Sequence, residues 1–148
     1  MTDSGTLLTI WIKRAHRGVM DPVSEATLVE GKGIDGNVDR SKRRQVTIVD
    51  EAAWTRATDE VDVAVKPAAR RANLFVRGVD LENSRGRVLR IGDARLLIGG
   101  ETRPCERMEE AQPGLRAALD PEWRGGAFAE VLTGGIIKPG DAVVFEAG

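Results

Sequence analysis

The chain has 148 residues and a formal net charge of −1, with 41% hydrophobic and 30% charged residues, a composition of globular rather than disordered proteins. No apolar run approaches the roughly 20 residues of a membrane-spanning helix, and the near-zero charge gives no bulk attraction to nucleic acid or to a membrane surface. At this size one core suffices, so a single domain over 1–148 is expected, with its core from about residue 8 to residue 145.

The first residues, Met1-Thr2-Asp3-Ser4-Gly5, lack the basic flank and apolar stretch of a secretory signal. With Cys105 as the single cysteine, a reducing cytoplasm is the expected location. Leu8-Thr9-Ile10-Trp11-Ile12-Lys13 alternates as a half-buried strand with Leu8, Ile10 and Ile12 on one face. The stretch Val29 to Asn37 carries Gly31, Gly33 and Gly36, which marks backbone needing positive φ or close approach. Gln45 to Val49 reads as a strand running into a helix capped by Asp50, with Ala53, Trp54, Ala57 and Val61 on one face. Asn73 to Val76 is a short strand, and Gly86 to Ile98 reads as two strands around Gly92-Asp93.

Between Glu106 and Leu119 a helix is expected, interrupted or divided by Pro113-Gly114. Ala127 to Leu132, Ile136-Ile137 and Ala142 to Phe145 close the chain as β-rich runs around Gly134-Gly135 and Pro139-Gly140-Asp141. The expected class is therefore mainly β (β-rich α+β), a curled sheet or β-barrel with a few short helices.

Chemistry is expected at Cys105, in Glu101-Thr102-Arg103-Pro104-Cys105-Glu106-Arg107. Thiolate is the form of cysteine that attacks electrophiles or binds metal, and cationic neighbours or a helix N-terminus favour it. A free cysteine is also often a small buried hydrophobe, and the local sequence leaves both readings open. Arginine outnumbers lysine 17 to 5, and its planar fork suits phosphate and carboxylate oxygens. The clusters are Arg40-Ser41-Lys42-Arg43-Arg44, Lys66 with Arg70-Arg71, and Arg103 with Arg107; any of them also fits a solvated surface. His16 is the only histidine, so a His-rich zinc site is excluded. Gly31-Lys32-Gly33 lacks the spacing of a phosphate loop. With six Phe and Trp and no Tyr, stacking on single-stranded nucleic acid has little to work with. A thiol, arginine clusters and a glycine loop together suit a soft metal centre that carries a phosphate.

These residues, in this order, resemble the MOSC domain family, related to the C-terminal part of molybdenum cofactor sulfurases. The resemblance runs from Leu8 to Phe145. It is carried by Gly33-Ile34-Asp35-Gly36, Arg44-Gln45-Val46-Thr47-Ile48, Arg70-Arg71-Ala72-Asn73-Leu74, Gly78-Val79-Asp80-Leu81, Arg90-Ile91-Gly92-Asp93-Ala94, Arg103-Pro104-Cys105, and Gly125 to Ile136 with Gly140-Asp141. Asn37 departs from it, since the family often has Asp after that glycine.

The resemblance implies a β-barrel-like fold that binds the molybdenum cofactor (molybdopterin), with Cys105 as catalytic residue and metal ligand, or as carrier of a persulfide. It implies cofactor contacts from Arg71, Asn73, Arg70, Arg103, Arg44 and Gly36. The reactions implied are sulfur transfer or reduction of an N-hydroxylated small-molecule substrate. One cysteine cannot hold an iron–sulfur cluster, and the chain has no room for a pyridoxal phosphate desulfurase module. A separate cysteine desulfurase or electron-donor protein is therefore the expected partner. A non-catalytic module that binds an anion through its arginines is the alternative from another class.

Overall fold

The computed structural model describes residues 4–38 and 41–147. Across them the chain forms eleven strands and three short α-helices: β1 (Gly5–Lys13), β2 (Met20–Val23), β3 (Ala26–Val29), β4 (Gly33–Ile34), β5 (Val46–Asp50), α1 (Glu51–Val61), β6 (Leu74–Arg77), β7 (Val88–Ile91), β8 (Ala94–Glu101), α2 (Glu106–Ala111), α3 (Leu115–Leu119), β9 (Ala127–Thr133), β10 (Gly135–Ile137) and β11 (Ala142–Phe145). Seven strands, in the order β11-β7-β8-β9-β5-β6-β1, close into a barrel through β1–β11 pairing, with Gly5 opposite Val143 and Thr6 opposite Ala142. Closure removes the free edges that an open sheet exposes. β2 extends the sheet from β1, while β10, β3 and β4 form a smaller second sheet.

The β5–β6 pair is parallel, so the chain must cross over between them. It does so through α1 and a 3-10 turn at Pro67–Arg70. That crossover delivers Arg70 and Arg71 to the start of β6. Leu7, Ile10, Ile12, Ile48, Leu74 and Leu96 are among the side chains filling the barrel. A second cluster covers its outer face, where Trp11, Val49 and Phe75 pack against Trp54, Ala57, Met108, Leu115 and Leu119.

The mainly β class, the barrel and the few helices match the sequence expectation, as does the division of the region around Pro113-Gly114 into α2 and α3. The phase of β1 differs in part. A register shift between Leu7 and Thr9 sends Leu7 into the barrel, and Leu8 joins the outer cluster instead. Trp11 also faces outward but is only 8% exposed, because the helices cover it. Among the described residues no helix is long and apolar enough to cross a membrane.

Asp50 caps α1 as its sequence position predicts. Its Oδ2 accepts from the Ala52 and Ala53 backbone N–H at 3.1 and 3.4 Å, and its Oδ1 accepts from the Val79 N–H at 3.1 Å. Burial raises its carboxyl above the ordinary value, opposed by those three backbone hydrogen bonds. One side chain thus ties the start of the crossover helix to the loop after β6. Asp50→Ala removes the cap and strands a buried N–H, so a loss of about 2–3 kcal/mol is expected, read as a lower urea midpoint at unchanged m-value.

Candidate functional site

A cleft of about 310 Å³ opens on the outer face of the barrel beside the helical layer, lined in part by Lys13, Asn37, Arg44, Thr47, Arg71 and Asn73. It adjoins a smaller hollow of about 80 Å³, which shares Arg44, Thr47 and Arg71 and adds Arg70, Ala72, Thr102 and Gly125. The described residues lining the two include cations and amides but no carboxylate. The elements explain the convergence. Lys13 ends β1, Thr47 lies in β5, Arg70 and Arg71 end the crossover, and Thr102 follows β8.

Arg71 adopts a left-handed backbone conformation, φ 62°, which costs a side-chain-bearing residue energy and persists only where its surroundings enforce it. Its Nη2 donates to the Gly18 carbonyl at 2.6 Å, which fixes the guanidinium across the cleft. Burial, then the nearby Arg107 charge, pulls Arg71 below the ordinary arginine value; a guanidinium nonetheless stays protonated. Arg44 lies over the Phe128 ring at 5.4 Å, a cation–π contact, and lines both hollows.

Arg70 lines the smaller hollow and is also tied to the backbone. Its Nε donates to the Gly125 carbonyl at 2.8 Å and its Nη2 to the Thr102 carbonyl at 3.0 Å. Burial lowers it most, the Cys105 sulfur acts in the opposite direction, and Arg44 lowers it further. Arg70 therefore links the smaller hollow to the segment that leads into Cys105.

Cys105 is exposed. It occupies the N-cap of α2 with no side-chain cap hydrogen bond, so the sulfur is reachable and uncommitted. It does not line either hollow; it flanks them, three residues beyond Thr102 and beside Arg70. Arg103 points to solvent, 82% exposed, with a loose 3.8 Å contact to Glu101. Gly36 is in a turn with φ +86°, outside the cleft but next to Asn37, which lines it. Arg40 of the first arginine cluster lies outside the described residues.

Asn73 is buried, and its amide is engaged within the protein. Its Oδ1 accepts from the Thr47 N–H at 3.1 Å and the Thr47 hydroxyl at 3.3 Å. Its Nδ2 donates to the Trp11 carbonyl at 3.3 Å and to Asn37 Oδ1 at 3.1 Å. Asn37 Oδ1 also accepts from the Lys13 N–H at 2.8 Å. This amide pair joins β1, β5 and the start of β6 and forms a neutral floor under the guanidinium groups. Lys13, Asn37, Thr47, Thr102 and Gly125 are not among the site residues expected from the sequence, although Asn37 stands out as the departure from the family and Thr47, Thr102 and Gly125 lie in quoted segments. Asn73→Ala breaks four hydrogen bonds, two of them buried, and a loss of about 2–4 kcal/mol is expected, seen as a melting temperature lower by roughly 5–15 °C.

The sequence model of the MOSC domain matches residues 35–144. Comparison with curated proteins gives no match. Among solved structures, the YuaD protein of Bacillus subtilis superposes with a TM-score of 0.83 at 21% identity, covering 100% of this chain and 99% of that one. YiiM of Geobacillus stearothermophilus gives 0.73 at 15% identity, covering 97% and 75%. YiiM of Escherichia coli gives 0.68 at 16%, covering 97% and 70%. At such identities these likenesses speak for the fold, while the sequence match spans most of the chain, so the protein belongs to the MOSC domain family.

Proposed function

We propose that this chain binds a pyranopterin molybdenum cofactor on the outer face of its barrel, with the cofactor phosphate in the basic cleft and Cys105 as the protein's sulfur ligand. The observation that carries this reading is the convergence of Lys13, Arg44, Arg70 and Arg71 on two adjoining hollows whose described lining residues include no carboxylate. Like charges oppose one another there, Arg107 acting on Arg71 and Arg44 on Arg70, after burial in each case. A bound dianion relieves that repulsion, and charge-assisted hydrogen bonds from arginine forks to phosphate are among the strong ones.

The residues fit such a group. Among the described residues no three His, Cys, Asp or Glu side chains converge on a metal position, so a metal here needs most of its ligands from an organic partner, and a pyranopterin brings its own sulfur pair. When bound, the group supplies two-electron redox chemistry or sulfur exchange at the metal. The chain supplies the rest. Arg71 and Arg44 hold phosphate oxygens, Lys13 adds positive charge at the far wall, and Asn37 and Asn73 keep the floor neutral and rigid. Cys105 presents one soft sulfur at the mouth. Electrons or sulfur then come from a separate protein, a reductase or a desulfurase, and the substrate is a small molecule.

Protein expressed with molybdate supplementation is expected to retain molybdenum, Cys105→Ala to lose most of it, and Arg71→Gln to hold it at least tenfold more weakly. Metal analysis and pterin fluorescence after gel filtration read all three. Metal-free wild-type protein that instead gains one sulfur on Cys105 from a desulfurase and cysteine, seen by intact mass, would replace the metal reading with that of a persulfide carrier.

A further inference from the structure

We propose that Arg70 is a positioning residue for the Cys105 sulfur: it pins the segment carrying the cysteine to the Gly125 turn and keeps a positive charge beside the sulfur, without itself gripping the ligand. The proposal rests on Cys105 being the reactive sulfur. Arg70 commits two donors of its fork to backbone carbonyls on two different segments, Thr102 and Gly125. Those segments are also joined to each other. The Thr102 hydroxyl donates to the Gly125 carbonyl at 2.8 Å, and the Thr102 N–H donates to the Gly126 carbonyl at 2.9 Å.

The junction has no spare room. A Cβ at Gly125 would meet the Thr102 carbonyl at 2.5 Å, with Arg70 Nη2 at 3.3 Å and the Pro104 ring at 3.4 Å. Pro104, buried in this wedge, fixes the backbone entering Cys105. The sulfur is thus exposed on a segment whose root is immobilised. The resemblance implies Arg70 as a cofactor contact; its hydrogen bonds tie it to the cysteine loop as well. Its charge also bears on the sulfur, which offsets part of the lowering that burial imposes on the guanidinium.

The test compares alkylation of Cys105 by anionic iodoacetate and neutral iodoacetamide in the full chain. Both reagents consume the same thiolate through the same opening, so their rate ratio reports the local charge. Arg70→Gln is expected to lower the iodoacetate/iodoacetamide ratio about threefold, as loss of one nearby charge would. Arg70→Lys should keep the ratio but, having lost the fork, speed amide hydrogen exchange at Thr102 about tenfold. The exposed Arg103→Gln should leave both unchanged.

An unchanged ratio in Arg70→Gln, an equal fall in Arg103→Gln, or undisturbed Thr102 exchange in Arg70→Lys overturns the proposal. Should Arg70→Gln not fold, the wild-type ratio at low salt decides: it is expected to exceed that of an unstructured peptide carrying the same cysteine, and equality with the peptide overturns the proposal. None of these readouts involves molybdenum, so a chain that shows the Arg70 pattern but retains no metal refutes the cofactor reading alone.

Discussion

Guanidinium groups gathered at two adjoining hollows, whose described lining residues include no carboxylate, are the constraint around which this candidate site is organised. Side chains of like charge separate in water unless the backbone forbids it. Here the backbone forbids it. Arg70 and Arg71 are consecutive at the end of the crossover, and Arg71 is fixed by its bond to Gly18. Arg44 is held over Phe128, whose own ring packs against Gly99 and Gly100. Such a gathering of like charge is unfavourable by itself, and under the proposed function an anion would make it favourable. Preorganisation of this kind removes the cost of gathering the donors when the ligand arrives.

The scaffold makes that arrangement sustainable. Pairing of β1 with β6, and of β6 with β5, fixes where Lys13 stands relative to those strands, and the Asn37–Asn73 amide pair ties them together beside the cations. The departure from the family at Asn37 acquires a physical meaning here. The amide fills the same acceptor role that a carboxylate would, toward the Lys13 N–H and Asn73, but adds no negative charge to the cleft. The outer cluster around Trp11, Trp54 and Phe75 seats the helices that flank the site, and one of these, α2, begins at Cys105.

Much of the fold was legible because its signals are local. Asp50 before an apolar-periodic segment marks a cap, Gly92-Asp93 between β-rich runs marks a hairpin, and Pro113-Gly114 separates two helices. β2 and β3 were not legible, since four-residue strands interrupted by Pro22 carry little periodicity. The outward burial of Trp11 depends on helices drawn from a distant part of the sequence, and the register shift at Leu7 has no signature in an alternating pattern. The thiol and the arginine pair were visible as residue types and as motif pieces. The different hydrogen bonding of Arg70 and Arg71 was not. Adjacent arginines read identically in a sequence, while in the fold both line the smaller hollow, Arg71 alone reaches the larger cleft, and Arg70 bonds the Thr102 and Gly125 carbonyls. Lys13 was hidden for the same reason, because strand pairing alone brings it to the site.

The most direct measurement of the central claim is a backbone and arginine-side-chain nitrogen NMR titration of the ligand-free chain with inorganic phosphate at low salt. Shifts concentrated at Lys13, Arg44, Thr47 and Arg71, weakening as salt is added, are the expected result. Shifts centred on the acidic hollow around Asp80, Glu82 and Glu122, or spread evenly over surface arginines such as Arg103 and Arg116, would contradict it.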